Sequence, residues 1–325
     1  MTSIDAPARP QPPSWRCEGL RYYGLGHYLR RTFGDRVWKV SVDGGFGCPN
    51  VDGPLGAGGC VFCNVRSFSP SRRLATASIR GQIDQGAGRL RLRGRAEKFI
   101  AYFQPGTNTY GPIERLRAAY EEAMGCEGVV GLAVGTRPDC VPDQVLDLLA
   151  ELGRRTWLSL ELGLQTIHEG SLTWMRRRHD YAAFVDAVER SHARGLRVGA
   201  HVILGLPGET RDQMLATARE LARLRIESVK IHNLHAVKDT PLAAAVARGE
   251  VRLPDRDEYV GWVVEFLQQL APQCVIDRLS GDAPAEYLVG PDWCRDKGAV
   301  RAAIEAELRR RDTWQGRCCE QESPR

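Results

Sequence analysis

The sequence predicts an α/β protein, an incomplete six-stranded (β/α)6 barrel of the TIM type with a small α+β C-terminal extension. Three observations lead there. Short β-branched or apolar runs alternate six times with amphipathic helical stretches. Polar residues follow nearly every one of these runs, and the alternation gives way to another pattern after Pro254. A doubly wound sheet shares the alternation but gathers its functional residues at one switch point, so their spread over many strand ends favours the barrel.

Residues 1–19 are rich in Pro, Ala and Ser without apolar periodicity and read as a mobile tail. The barrel occupies residues 20–250. Its first strand is Val37 to Val42, followed by a glycine- and cysteine-rich loop (43–64) and an Arg-rich helical connection. The second strand, Lys98 to Phe103, precedes a helix at Ile113 to Met124. The third, Val129 to Val134, precedes a helix that Val141-Pro142-Asp143 is suited to start. The fourth, Trp157 to Leu162, leads to a helix at Tyr181 to Arg194, with Gly195 as its stop. The fifth, Arg197 to Leu204, runs into Gly-Leu-Pro-Gly-Glu-Thr and a helix from Arg211 to Leu224. The sixth is Ser228 to Leu234, followed by a short helix around Leu242 to Arg248. Residues 251–325 form the extension: a helix (Asp257 to Leu270), a strand (Cys274 to Leu279) and a basic helix (Lys297 to Arg311). Its expected place is the open side of the barrel, over strand edges that six strands cannot close on themselves.

Composition narrows the class. The chain has 325 residues, 43% hydrophobic, enough to bury a sizeable core, and no stretch approaches a bilayer-spanning apolar run. The first residues lack the apolar core of a signal peptide, so the cytoplasm is the expected compartment, with no membrane partner. In a reducing compartment, ten cysteines point to metal or redox chemistry before disulfides. The net charge of +5 rests on arginine, for only five lysines are present.

Cys48, Cys60 and Cys63 lie in GFGCPNVDGPLGAGGCVFC, spaced by eleven and two residues. The glycines and prolines between them let the backbone turn sharply around a bulky inorganic group. On the cysteines alone, a structural zinc site closed by a ligand such as His27 and an iron–sulfur cluster are equally plausible readings. Position favours the cluster. The three thiols follow the first strand, where barrel sites form, and three ligands leave one iron of a [4Fe–4S] cluster open.

This segment resembles the cluster loop of radical S-adenosylmethionine (SAM) enzymes. Its spacing departs from the common short pattern and is similar to the YhcC-like family, related to the radical SAM domain of the Elongator catalytic subunit. Matching stretches include VDGGFGCPNVDG, AYFQPGTNTY, GTRPD, LELGLQT, RRHDY, HVILGLPGET, KIHNLH and the TWQG segment at Thr313 to Gly316. The resemblance implies that the open iron chelates SAM and that one electron from the cluster cleaves it to a 5′-deoxyadenosyl radical. It also implies an electron donor such as flavodoxin or ferredoxin.

On the same resemblance, Gln104 to Thr107 stands where relatives carry a Gly-Gly-Glu segment that holds the SAM amino group. Glutamate is absent here, so the contact falls to backbone carbonyls or to Thr107. Gln165 matches a ribose-binding position and Arg178 one that pairs with the SAM carboxylate. Gly205 and Gly208 would let adenine lie against backbone. Glu161 either helps bind SAM or satisfies donors inside the barrel. His201, His232 and His235 are candidate acid or base groups, and Thr136, Arg137 and Asp139, with Lys238 behind them, candidates for the substrate side.

Two basic stretches, arginines 72, 73, 80, 89, 91, 93 and 95 and arginines 309 to 311, are suited to track an RNA backbone or are simply solvated helix faces. Kinship with Elongator implies tRNA as partner and a wobble-uridine side chain as substrate. The acetyltransferase domain of Elongator has no counterpart in the residues after the barrel. Two other functions fit the residues: radical chemistry on a small molecule, and a zinc-stabilised nucleic-acid-binding module without catalysis.

Overall fold

The computed structural model describes residues 14–53, 58–68 and 78–319. Six strands run parallel in sequence order: β1 (Val37–Val42), β2 (Lys98–Phe103), β3 (Val129–Thr136), β4 (Trp157–Gln165), β5 (Arg197–Leu204) and β6 (Ser228–Asn233). Among these six, each pairs only with its sequence neighbours, the winding of a barrel and not of a doubly wound sheet, whose strand order reverses.

The sheet has seven strands where the sequence suggests six. After a two-residue strand β7 (Ala236–Val237), the extension contributes β8 (Val275–Arg278), which pairs in parallel with β6 through Ser228↔Val275 and Val229↔Ile276. The edge of β6 would otherwise present unpaired N–H and C=O groups. The far edge of β8 is met by the N-terminal segment, where the Ile276 N–H donates to the Tyr23 carbonyl at 2.8 Å. A short β9 (Leu288–Gly290) pairs antiparallel with β7.

The expected tail begins its order earlier than residue 20. Ser14–Cys17 form one helical turn because Trp15 is buried and its Nε1 donates to the Pro272 carbonyl at 3.0 Å. Residues 1–13 lie outside the described residues, as do Arg72 and Arg73.

Helices follow the predicted boundaries, with identifiable caps. Asp180 accepts from the Ala183 N–H to open Tyr181–Ala193, and Gly195 follows it at φ +70°. Thr210 and Gln213 form a capping box at the start of Arg211–Arg223. Among the described residues no helix is long and apolar enough to cross a membrane.

Alternation along the strands separates two environments. In β4, Leu158, Leu160, Leu162 and Leu164 join the core beneath the helices, while Glu161 meets Lys39, His201 and Lys230 from β1, β5 and β6 inside the barrel. Burial on both faces explains the near-continuous burial of β3 and β4. The sheet is therefore apolar toward the helices, and its inner face carries the charged network beside an apolar layer in which Val37, Ile100 and Ala133 pack with Leu29.

Candidate active site

A cavity of about 230 Å³ opens at the carboxyl ends of the strands. Cys48, Cys60 and Cys63 line it together, on a loop tied down at several points. The Val51 N–H donates to the Cys48 carbonyl at 2.8 Å and the Cys63 N–H to the Cys60 carbonyl at 3.0 Å. Thr107 N–H donates to the Gly47 carbonyl at 2.9 Å, and Val61 N–H to the Met175 carbonyl at 3.1 Å. Gly59 sits at φ +71°, a left-handed conformation that suits glycine, with its N–H on the Asn50 carbonyl.

The donor set suits a metal cluster. The Asn50 amide and the Arg177 guanidinium each approach Cys60 Sγ at 3.3 Å. Two N–H donors on one sulfur favour the negative charge that a metal-bound thiolate carries. Asn50 is itself held by the Arg176 carbonyl at 2.8 Å, and Arg177 by the Gly163 carbonyl at 2.7 Å. His27 is not part of this site. It lies on the helix Leu25–Phe33, with Nδ1 3.4 Å from Glu18 and its ring against Tyr23. Among the described residues no three His, Cys, Asp or Glu side chains are grouped to hold a single metal ion.

Beside the cysteines the wall is rich in polar groups. Gln104, Thr107, Thr136, Arg137 and Gln165 all line the cavity. Thr107 Oγ1, one nitrogen of Arg137 and Nε of Arg177 are buried without a partner among the described residues, and so are available to a polar ligand. Asp139 does not line the cavity but orients Arg137 through a bidentate pair at 2.9 and 2.8 Å. Gln165 adopts φ +74° where the β4–β5 register shifts, an unusual conformation for a non-glycine residue and one that clusters at functional sites.

Arg178, Gly205 and Gly208 fall off this wall, and Glu161 lies below it. Arg178 is exposed, and Arg177 takes its place on the wall. The cause is local: Arg176 and Arg178 both sit in the left-handed region, at φ +57° and +60°, and the chain between them turns Arg177 inward. Gly205 does not line the cavity, and a Cβ there would meet Trp262 at 3.0 Å, so its bareness serves the packing of the helix Arg256–Gln269. Gly208 faces open space.

The remaining wall carries His201, His232, His235, Lys230 and Arg278. Below it Glu161, almost fully buried, anchors a charged network. It accepts from Lys39 at 2.6 Å, His201 at 2.8 Å and Lys230 at 3.3 Å, while Lys39 also reaches Asp277 at 2.7 Å. Burial alone would raise the Glu161 carboxyl, but Lys230, Lys39 and His201 hold it well below the carboxylate range. Burial would lower Lys39, yet Asp277 and Glu161 outweigh it and hold the ammonium above its ordinary value. Lys230 has no such pair of short contacts, and burial lowers it to about 8. Burial also lowers His201, His232 and His235, so these imidazoles are uncharged at neutral pH and serve there as neutral donors and acceptors.

Glu161 is thus a member of an internal network and not a lining residue. Lys39, Tyr102, Lys230, Asp277 and Arg278 are functional-site residues that motif reading misses. The signal for Lys39, Lys230, Asp277 and Arg278 was a charged residue inside a run that reads as a strand, VWKVSV, SVKIHN and VIDR, whereas Tyr102, in KFIAYF, carries no such mark.

A partial barrel with thiols at the end of its first strand is the layout of a cluster-dependent barrel enzyme. Residues 53–221 match the family model described as the Radical SAM superfamily and residues 226–310 the Radical_SAM C-terminal domain, and the chain belongs to the radical SAM superfamily, in the YhcC-like family of enzymes. The chain is 41% identical over 297 residues to the protein YtqA of Bacillus subtilis, covering 91% of this chain and 92% of that one. It is 38% identical over 287 residues to the protein YhcC of Escherichia coli K12, covering 87% and 91%. A more distant relative, a tRNA uridine(34) acetyltransferase of Methanocaldococcus jannaschii, is 28% identical over 164 residues, 49% of this chain and 30% of that one. The structure of archaeal Elp3 from Methanocaldococcus infernus superposes with a TM-score of 0.65 at 20% identity, covering 83% of this chain and 63% of that one. Membership in the superfamily implies SAM and a [4Fe–4S] cluster.

Proposed function

We propose that this enzyme holds a [4Fe–4S] cluster on Cys48, Cys60 and Cys63, binds SAM beside it, and modifies the side chain of a tRNA wobble uridine. The observation that carries the reading is the convergence of three thiols, two N–H donors on Cys60 and unpartnered polar groups on one cavity wall. The cluster, reduced by a donor such as flavodoxin or ferredoxin, would supply the electron for reductive cleavage of SAM.

The chain's own residues position and insulate. Thr107 and Gln104 would receive an amino group, and Arg137 and Arg177 would donate to a carboxylate. The Gln165 amide suits a pair of ribose hydroxyls. The far wall, with His201, Lys230, His232 and His235, is left to the substrate. Support for tRNA comes from the likeness to the uridine(34) acetyltransferase, and an oxygen-sensitive cluster fits a cytoplasmic enzyme.

The test is twofold. Anaerobic reconstitution should give an iron–sulfur electron paramagnetic resonance signal and release of 5′-deoxyadenosine with reductant. A strain lacking the gene should show a changed modified-nucleoside profile in its tRNA by mass spectrometry, and an unchanged profile removes the tRNA assignment.

A small-molecule substrate is the second reading, favoured by one observation. Arg91 and Arg95 pack over Phe99 and Trp38, near the amino ends of β2 and β1, so the stretch 89–95 lies at the end of the barrel opposite the cavity. Turnover insensitive to salt and independent of RNA would favour it.

A further inference from the structure

Lys39 and Lys230 both reach Glu161, but they are not equivalent. Lys39 has a short contact to each of two carboxylates, at 2.6 and 2.7 Å, and does not line the cavity. Lys230 has one carboxylate contact, at 3.3 Å, and lines the cavity with His201 and His232. Its closest partner is the Tyr102 hydroxyl at 2.5 Å. A phenol accepts a hydrogen bond from an ammonium and donates one to a neutral amine, so this pair stays satisfied in either protonation state of the lysine. Burial keeps the phenol proton in place, since Tyr102 is held well above its ordinary value.

The surrounding charges also tolerate the change. Facing Lys230 are Tyr102 from β2, Glu161 from β4, His201 from β5 and His232 from its own strand, with Lys39 of β1 and Asp277 and Arg278 of β8 acting over longer range. With Lys230 neutral, Lys39 and Arg278 still balance Glu161 and Asp277. Asp282 lies nearer Lys297, at 2.9 Å, than Arg278, at 3.4 Å.

We propose that Lys230 is a catalytic residue of the substrate wall, exchanging a proton with a nitrogen or oxygen of the bound substrate. In the donating direction one Nζ–H bond breaks, an N–H or O–H bond forms on the substrate, and the lysine is left as a neutral amine that solvent reprotonates when product leaves. No electron changes hands in this step. Tyr102 and Glu161 are positioning residues that hold the amine against the cavity. The inference rests on the reading of this cavity as the place where substrate binds.

The chain has only five lysines, so the protein labelled with carbon-13 at lysine Cε gives few signals to assign by substitution. The Lys230 signal is expected to titrate near pH 8, and titration at the ordinary value of about 10.4 overturns the proposal. In the reconstituted enzyme, with bulk tRNA from a strain lacking the gene as probe, Lys230→Arg should lower kcat by about 10²-fold or more and remove the inflection near pH 8 from the rate profile. Lys230→Ala should regain activity with added ethylamine, which a purely structural lysine would not. Wild-type kinetics in Lys230→Arg also overturn the proposal. Absence of turnover by the wild-type enzyme on tRNA counts against the tRNA reading, and the titration then decides Lys230 by itself.

Discussion

Arg177 and Arg178 are neighbours with opposite fates. Arg177 donates to Cys60 Sγ and to the Gly163 carbonyl, whereas Arg178 is exposed. Arg177→Ala is expected to weaken SAM binding and to move the cluster potential negative, since hydrogen bonds to sulfur raise it. Arg178→Ala should leave both unchanged and alter stability by no more than about 0.5 kcal/mol. Isothermal titration and redox titration of the two variants check this, and the reverse pattern would restore the position expected from motif matching. Lys230 gives a second expectation at this scale. Its folded value of about 8 lies below the unfolded value of about 10.4, so between these the unfolded chain binds the extra proton and stability rises with pH. Lys39, held above its ordinary value, keeps its proton in the folded state and opposes this slope only near the upper end of the window, where the unfolded chain begins to lose that proton. In urea unfolding from pH 8 to about 10, the stability of wild type relative to Lys230→Met should rise with pH.

At the scale of the element, the seventh strand explains two sequence features whose reason lay hidden. The TWQG segment ends at a buried amide: Gln315 donates to the Ala271 carbonyl at 2.8 Å and the Cys274 carbonyl at 2.7 Å, and accepts from the Tyr23 N–H at 2.9 Å. It thus ties the start of β8 to the N-terminal segment on that strand's outer edge. Gln315→Ala strands two buried backbone carbonyls and a half-buried N–H and should cost about 2–4 kcal/mol in chemical unfolding. The charged alternation in β1, β6 and β8 is the second feature. It builds one network around Glu161, and Glu161→Gln leaves Lys39 with Asp277 alone and Lys230 without a carboxylate. A loss of about 3–5 kcal/mol is expected. A loss below about 1 kcal/mol would mean that water replaces the carboxylate.

For the whole molecule, the distribution of charge matters more than its sum. The two basic stretches of the sequence are not alike. Arg310 and Arg311 are paired with Glu307, and Arg311 also with Glu265. Arg89 and Arg93 are exposed, without a carboxylate partner among the described residues. On the proposed tRNA substrate, Arg89→Gln with Arg93→Gln should weaken binding and reduce its salt dependence by about two phosphate contacts only if the RNA extends along the barrel to its amino end. Arg310→Gln should change neither, because that guanidinium is already neutralised. Filter binding at several salt concentrations distinguishes the outcomes.

The sequence by itself determined the barrel winding, the strand positions and the loop of three cysteines. These rest on local periodicity and on short-range motifs, which are written in neighbouring residues. Only the tertiary structure decided that β8 completes the sheet, since strand pairing across more than forty residues leaves no local trace. It also decided that Arg177 and not Arg178 faces the cavity, a matter of two left-handed residues that side-chain identity does not reveal. The same holds for Lys39, Tyr102, Lys230 and Asp277. Each sits singly on its own strand, and only closure of the sheet, which points alternate side chains at a common axis, turns them into a single polar site beside the cavity.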